Sequence, residues 1–169
     1  MSTIYPSIDP NGLLEYSVVF TDRSMNHMSR AFQDVMCGLH DGLTSVYSAS
    51  ACVLVPGGGT FAMEAVARQF AKDQTVLVVR NGWFSYRWTQ IFDQGVTPSH
   101  AKVAKARPDS DRADQQFAPV PVEEVCAQIR AKRPNLVVAP HVETSAGMLL
   151  PDHYLQALTA AAHEVGALF

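Results

Sequence analysis

The run Thr75-Val76-Leu77-Val78-Val79-Arg80-Asn81-Gly82-Trp83-Phe84 passes directly from unbroken β-branched and aliphatic side chains to an Asn-Gly break and then to aromatics. An apolar stretch this short, rich in valine, reads as a strand buried on both faces. Asn81-Gly82 ends it, and a helix is predicted from near Trp83 or Phe84 to near Gly95. Toward the N-terminus, Thr60–Phe70 has helical spacing of its apolar residues. Before it, Ala51-Cys52-Val53-Leu54-Val55 is predicted as a second buried strand, stopped by Pro56 and three glycines. Earlier still, Met28, Phe32, Val35, Met36, Leu39 and Leu43 recur at three- and four-residue spacing, one face of an amphipathic helix.

Toward the C-terminus the pattern continues. A weak strand is expected at Ala101–Ala104, then a long polar surface loop from Lys105 to Pro121. Val122, Val125, Cys126 and Ile129 mark a helix, and Asn135–Ala139 a further buried strand. Pro151 opens a last helix, which Gly166 ends, and Ala167-Leu168-Phe169 reads as the first half of another strand. Doubly buried strands alternating with helices call for an α/β fold, a three-layer sandwich around a mostly parallel sheet.

Composition narrows the class of function. Of 169 residues, 47% are apolar and 17% charged, as in a folded domain, and the net charge is −3 from 13 basic and 16 acidic residues. No basic stripe interleaved with aromatics points to nucleic acid. No apolar run reaches the roughly 18 residues that cross a bilayer, and Met1–Leu14 does not have the pattern of a secretory signal. A cytoplasmic location follows as the expectation. Cys37, Cys52 and Cys126 are widely spaced. They are read as reduced, buried thiols packing as small apolar residues, and no metal site is expected.

Three segments carry candidate chemistry. Pro56-Gly57-Gly58-Gly59-Thr60 opens a helix, where unpaired N–H groups, the dipole and a hydroxyl suit a phosphate. The same stretch fits G-x-G-x-x-A through Gly57, Gly59 and Ala62, with Arg80 where a dinucleotide fold usually places an acid. An NADP-binding oxidoreductase is therefore a rival reading. Asn81–Trp88 is dense in aromatics after the best strand, where a flat ring can stack on a heterocycle. His141-Val142-Glu143-Thr144-Ser145 adds an imidazole, a carboxylate and hydroxyls after another strand.

The ordered set Gly57-Gly58-Gly59-Thr60-x-Ala62-x-Glu64-Ala65, Asn81-Gly82-x-Phe84 and His141-x-Glu143-Thr144-Ser145-x-Gly147 resembles the serine–pyruvate/alanine–glyoxylate branch of class V pyridoxal-phosphate aminotransferases. The resemblance runs from about Thr21 to Phe169. It implies the large domain of the fold type I transferases, with residues 1–27 as an N-terminal arm and substrate-side loop and 28–169 as the first part of the cofactor domain. It implies pyridoxal 5′-phosphate as cofactor, a homodimer, and amino-group exchange between a small amino acid and a 2-oxo acid such as pyruvate or glyoxylate. Gly58, Gly59 and Thr60 would hold the phosphate, Phe84 would stack on the pyridine, and Thr144 would lie beside the phenolic oxygen. Ser24, Asn26 and His27 would face the substrate.

By the same resemblance, the aspartate that pairs with the pyridine nitrogen, the Schiff-base lysine and the carboxylate-binding arginine fall beyond Phe169. None of Lys72, Lys102, Lys105 and Lys132 stands in a matching context. The chain alone is thus expected to lack the catalytic lysine and to be inactive. Sister pyridoxal enzymes, desulfurases or lyases, share the sheet and remain alternatives. So does a silent fragment that only binds cofactor.

Overall fold

The structure, a computed structural model, describes residues 27–95, 98–112 and 114–169. The chain separates into two compact units, Met1–Val55 and Pro56–Phe169.

In the first unit, helix α1 spans Arg30–Tyr47. Ser29 caps it, its hydroxyl accepting from the Phe32 N–H at 3.2 Å. The helix outruns the predicted end near Leu43 by a turn and stops where Ser48 turns left-handed. None of its residues is buried. The strand expected at Ala51–Val55 does not form: the segment has no ladder, and Val53 is 83% exposed. β-propensity describes fit to a pleated, half-buried surface. Among the described residues its own unit offers no strand to pair with it.

The second unit contains the sheet. Helix α2 (Gly59–Phe70) leads into β1 (Thr75–Arg80), followed by α3 (Trp83–Asp93) and β2 (His100–Lys105). After the short strands β3 (Arg107–Pro108) and β4 (Phe117–Ala118) come α4 (Val122–Lys132) and β5 (Leu136–Val138). Strands β6 (Val142–Glu143) and β7 (Met148–Leu149) flank a 3₁₀ turn, and α5 (Asp152–Glu164) follows. The main sheet is parallel with order β2-β1-β5, Val76 standing opposite both Ala101 and Leu136.

Alternation along β1 makes two cores. Val76 and Val78 pack with Leu136, Val138, Ala67 of α2, Ala71 just past its end and Phe92 of α3. Leu77 and Val79 pack with Val137 and with Val125, Ile129, Leu158 and Ala161 of α4 and α5. This is the expected three-layer sandwich. Each fully buried valine of β1 contributes about 1.5–3 kcal/mol relative to an exposed one, which explains why so short a strand organises the unit.

The polar loop 105–121 is more ordered than its composition indicated. Arg107 and Pro108 pair with Ala118 and Phe117, and the Asp109 carboxylate accepts the Gln116 N–H at 3.1 Å. Tyr154 anchors its far end, donating to the Val120 carbonyl at 2.7 Å. Near Phe169, Leu168 forms an isolated parallel bridge with Leu136. Of the cysteines only Cys126 is buried; Cys37 is exposed and Cys52 partly so. No helix among the described residues is long and apolar enough to cross a membrane.

Candidate functional site

Helices crossing a parallel sheet set their N-termini at the carboxyl ends of the strands, where such folds bind ligands. Four helices do so here, and three have their positive ends answered from within. α4 carries Glu123 and Glu124 in its first turn, and α5 carries Asp152. α3 is answered from 58 residues away. The Glu143 carboxylate accepts the N–H of Phe84 at 3.0 Å and of Ser85 at 2.9 Å. The Ser85 and Ser145 hydroxyls also donate to it.

Glu143 is fully buried. Burial alone would raise its pKa, but the hydrogen bonds from Ser145, Ser85 and the two amides outweigh that and hold it below the ordinary value. Ser145 in turn accepts the Trp83 N–H at 2.8 Å. A Cβ on Gly82 would stand 2.7 Å from Glu143 Cγ, so glycine is needed there for space.

α2 is the exception. Gly58 caps it with no side-chain bond, and its first turn holds no acid. Among the described residues, nothing accepts from the N–H groups of Gly58, Gly59 or Thr60. A Cβ at Gly58 or Gly59 would meet nothing within 4 Å, so a ligand can approach this backbone. Gly57 has the structural duty: its φ of 125° and the Phe61 ring leave no room for a side chain. An uncompensated helix N-terminus with open amides fits a phosphate group.

The other expected residues distribute as follows. Phe84 is the second residue of α3, half exposed and without an aromatic partner among the described residues, whereas Trp83 packs on Tyr86 at 5.8 Å. Thr144 is exposed in the 3₁₀ turn next to Glu143. The Glu143 bonds therefore bring the segments of Phe84 and Thr144 together, and α2 packs beside α3 on the same face of the sheet. The buried Asn81 carboxamide, just past β1, has both its nitrogen and its oxygen unpaired. His27 is exposed in the turn before α1; Ser24 and Asn26 lie outside the described residues. Glu64 pairs with Arg68 one turn on.

The dinucleotide reading loses its support here. It needs a strand running into Gly57, and Ala51–Val55 is not one. Arg80 is engaged with α3, its guanidinium 4.9 Å from the centre of the Tyr86 ring and within 3.4 Å of the Thr89 hydroxyl.

Sequence reasoning missed the role of Glu143 as the remote cap of α3. The signal was available: a helix opening on Gly82 has no capping side chain of its own and requires one from elsewhere.

No family model and no curated protein matches the chain. Among solved structures it is similar to the ureidoglycine–glyoxylate aminotransferase of Bacillus subtilis, with TM-score 0.64 and 22% identity over 82% of this chain and 33% of that one. It is also similar to the alanine–glyoxylate aminotransferase of Nostoc sp., with TM-score 0.66 and 24% identity over 84% of this chain and 35% of that one. The chain thus spans about a third of the length of each. Over more than four-fifths of its own length it has the fold of these aminotransferases, the one that the resemblance to class V, fold type I enzymes implied.

Proposed function

We propose that this chain forms the phosphate- and ring-holding part of a class V, pyridoxal-phosphate-dependent aminotransferase. The reaction is amino-group exchange between a small amino acid and a 2-oxo acid. Glyoxylate is the favoured acceptor, because both structural neighbours carry it in their names. The supporting observation is the contrast among helix N-termini: α3, α4 and α5 are compensated by carboxylates and α2 is left open.

In this reading the amides of Gly58, Gly59 and Thr60 grip the phosphate, and the Thr60 hydroxyl assists. Phe84 offers its free face to the pyridine, and Glu143 fixes that ring by tying down the start of α3. Thr144 presents its hydroxyl to the phenolic oxygen, and His27, with Ser24 and Asn26, belongs to the substrate side. Bound there, the cofactor supplies an electron sink for charge developing at the substrate's α-carbon.

None of the four lysines of this chain matches the Schiff-base position, so these 169 residues bind cofactor without turnover. Residues 1–27 serve as the arm and 28–169 as the first part of the cofactor domain. The whole enzyme works as a cytoplasmic homodimer.

The test uses pyridoxine 5′-phosphate, which has no aldehyde to react with surface lysines, against pyridoxine. Calorimetry should show binding that depends on the phosphate. Gly58 has an extended backbone with open space around it, so Gly58→Asp is tolerated and adds a capping carboxylate. The melting temperature should hold or rise, by a few tenths of a kcal/mol in stability. Phosphate-dependent affinity should fall about tenfold or more, since a fixed negative charge now occupies the anion site. Equal binding by the two proteins would show that the phosphate lies elsewhere.

A further inference from the structure

We propose that Asn81 is a covalent modification site: its side chain deamidates through a succinimide when the start of α3 opens, and the Ser85 hydroxyl guards against this in the closed fold. An Asn-Gly pair is the dipeptide most open to the reaction, because glycine has no Cβ to shield its main-chain nitrogen from the preceding carboxamide. The fold cannot exchange that glycine for a safer residue. A Cβ at Gly82 would stand 2.6 Å from Ser145 Oγ and 2.7 Å from Glu143 Cγ.

Two observations locate the guard. Asn81 is 4% exposed, yet neither the oxygen nor the nitrogen of its carboxamide has a hydrogen-bond partner among the described residues. Packing alone therefore holds the group that is attacked. The attacking nitrogen is held by a bond: Ser85 Oγ accepts the Gly82 N–H at 3.1 Å and the Asn81 N–H at 2.9 Å. Ser85 is itself fixed, donating to the buried Glu143 carboxylate at 2.6 Å. While these bonds stand, the Gly82 nitrogen keeps its proton and cannot swing toward Asn81 Cγ.

The reaction consumes only water. A base removes the Gly82 amide proton, the nitrogen attacks Asn81 Cγ, and the bond from Cγ to the carboxamide nitrogen breaks. Ammonia leaves with the proton returned by that base. Water then opens the imide at either carbonyl, giving aspartate, or isoaspartate with the main chain lengthened by one carbon. Each product undoes the start of α3. The imide has no N–H left to give Ser85, and the acids set a new carboxylate one residue from the contact of Gly82 with Glu143. Nothing in this chemistry depends on a bound cofactor.

The test incubates wild type, Ser85→Ala and Tyr154→Phe in mildly alkaline buffer and follows the tryptic fragment 81–87 by mass spectrometry, which separates acid from amide. The chain's other Asn-Gly pair, Asn11-Gly12, falls in a different fragment. A peptide of residues 79–86 gives the unguarded rate, and folded wild type should convert far more slowly. Ser85→Ala should speed conversion about fivefold or more, the equivalent of one ordinary hydrogen bond. Tyr154→Phe weakens the same unit from α5 and leaves Ser85 in place, so its rate should match wild type. In wild type the rate should also stay nearly flat across low urea, since a local opening exposes little surface; this reading needs no variant to fold.

Wild type as fast as the peptide, Ser85→Ala as slow as wild type, or equal acceleration by both variants would each overturn the proposal. So would a urea dependence matching that of global unfolding, which would place the reaction in the unfolded chain.

Discussion

Glu143 shows how one buried carboxylate can serve as a structural joint. Four donors converge on it, two of them amides at the start of α3, and no water-exposed surface remains to it. Its folded pKa lies below the ordinary 4.5. Its contribution to stability is therefore fully present above about pH 4.5 and is lost as pH falls through the lower folded value. Glu143→Gln keeps the shape but removes the charge and turns an NH₂ toward donors. A loss of about 3 kcal/mol is expected at neutral pH. The gap from wild type should narrow steadily below pH 4.5. Urea melts across pH 3–7 check this, and a constant gap would mean that the carboxylate is not ionised in the folded protein. Little of this was legible beforehand: the sequence placed Glu143 in a polar loop after a strand, but its amide partners lie nearly sixty residues earlier. The open helix start at Gly58, Gly59 and Thr60 was legible, because glycines ahead of an apolar run at helical spacing are a local property of the chain.

Among elements, those whose stability is decided by their own pattern were read closely. β1 extends one residue beyond the predicted Thr75–Val79, and α3 and α4 begin where their apolar spacing begins. Elements decided by a partner were not. Ala51–Val55 has the composition of a strand without a neighbour, and β3–β4 has a neighbour despite a proline and many charges. Tyr154 anchors the far end of the 105–121 loop. Burial first, and then the nearby Cys126, Glu123 and Glu124, push its phenol from 10.0 up to about 12, while its O–H donates to Val120. A raised pKa means that the stabilisation is complete below pH 10 and fades between pH 10 and about 12. Tyr154→Phe should cost about 1 kcal/mol at neutral pH by leaving the Val120 carbonyl unpaired. In alkali the difference should shrink, and wild type should lose stability through that window faster than the variant. A variant that tracked wild type at every pH would remove Tyr154 from the account of the loop.

For the molecule as a whole, the two units differ in what holds them. Pro56–Phe169 has two apolar cores on either side of β1, with Val76, Val78 and Val79 wholly buried. In Met1–Val55, α1 is a helix of 18 residues with no buried member, and its Val46 is 76% exposed. Most helical stability in proteins comes from tertiary packing rather than from propensity, and α1 buries none of its residues. Local opening of α1 should therefore require far less free energy than opening of the sheet. Amide hydrogen exchange reads both at once. Val76–Val79 and Val137 should exchange only with global unfolding, while amides along α1 exchange at least about a hundredfold faster. The homodimer proposed above adds a condition to this measurement. If a second copy covers the exposed apolar residues Val35, Leu39 and Val46, protection along α1 must rise with protein concentration while that of β1 stays fixed. Protection of α1 equal to that of β1 at every concentration would contradict the separation into two units, since a marginal helix cannot be as slow as a core strand unless something within the same chain covers it.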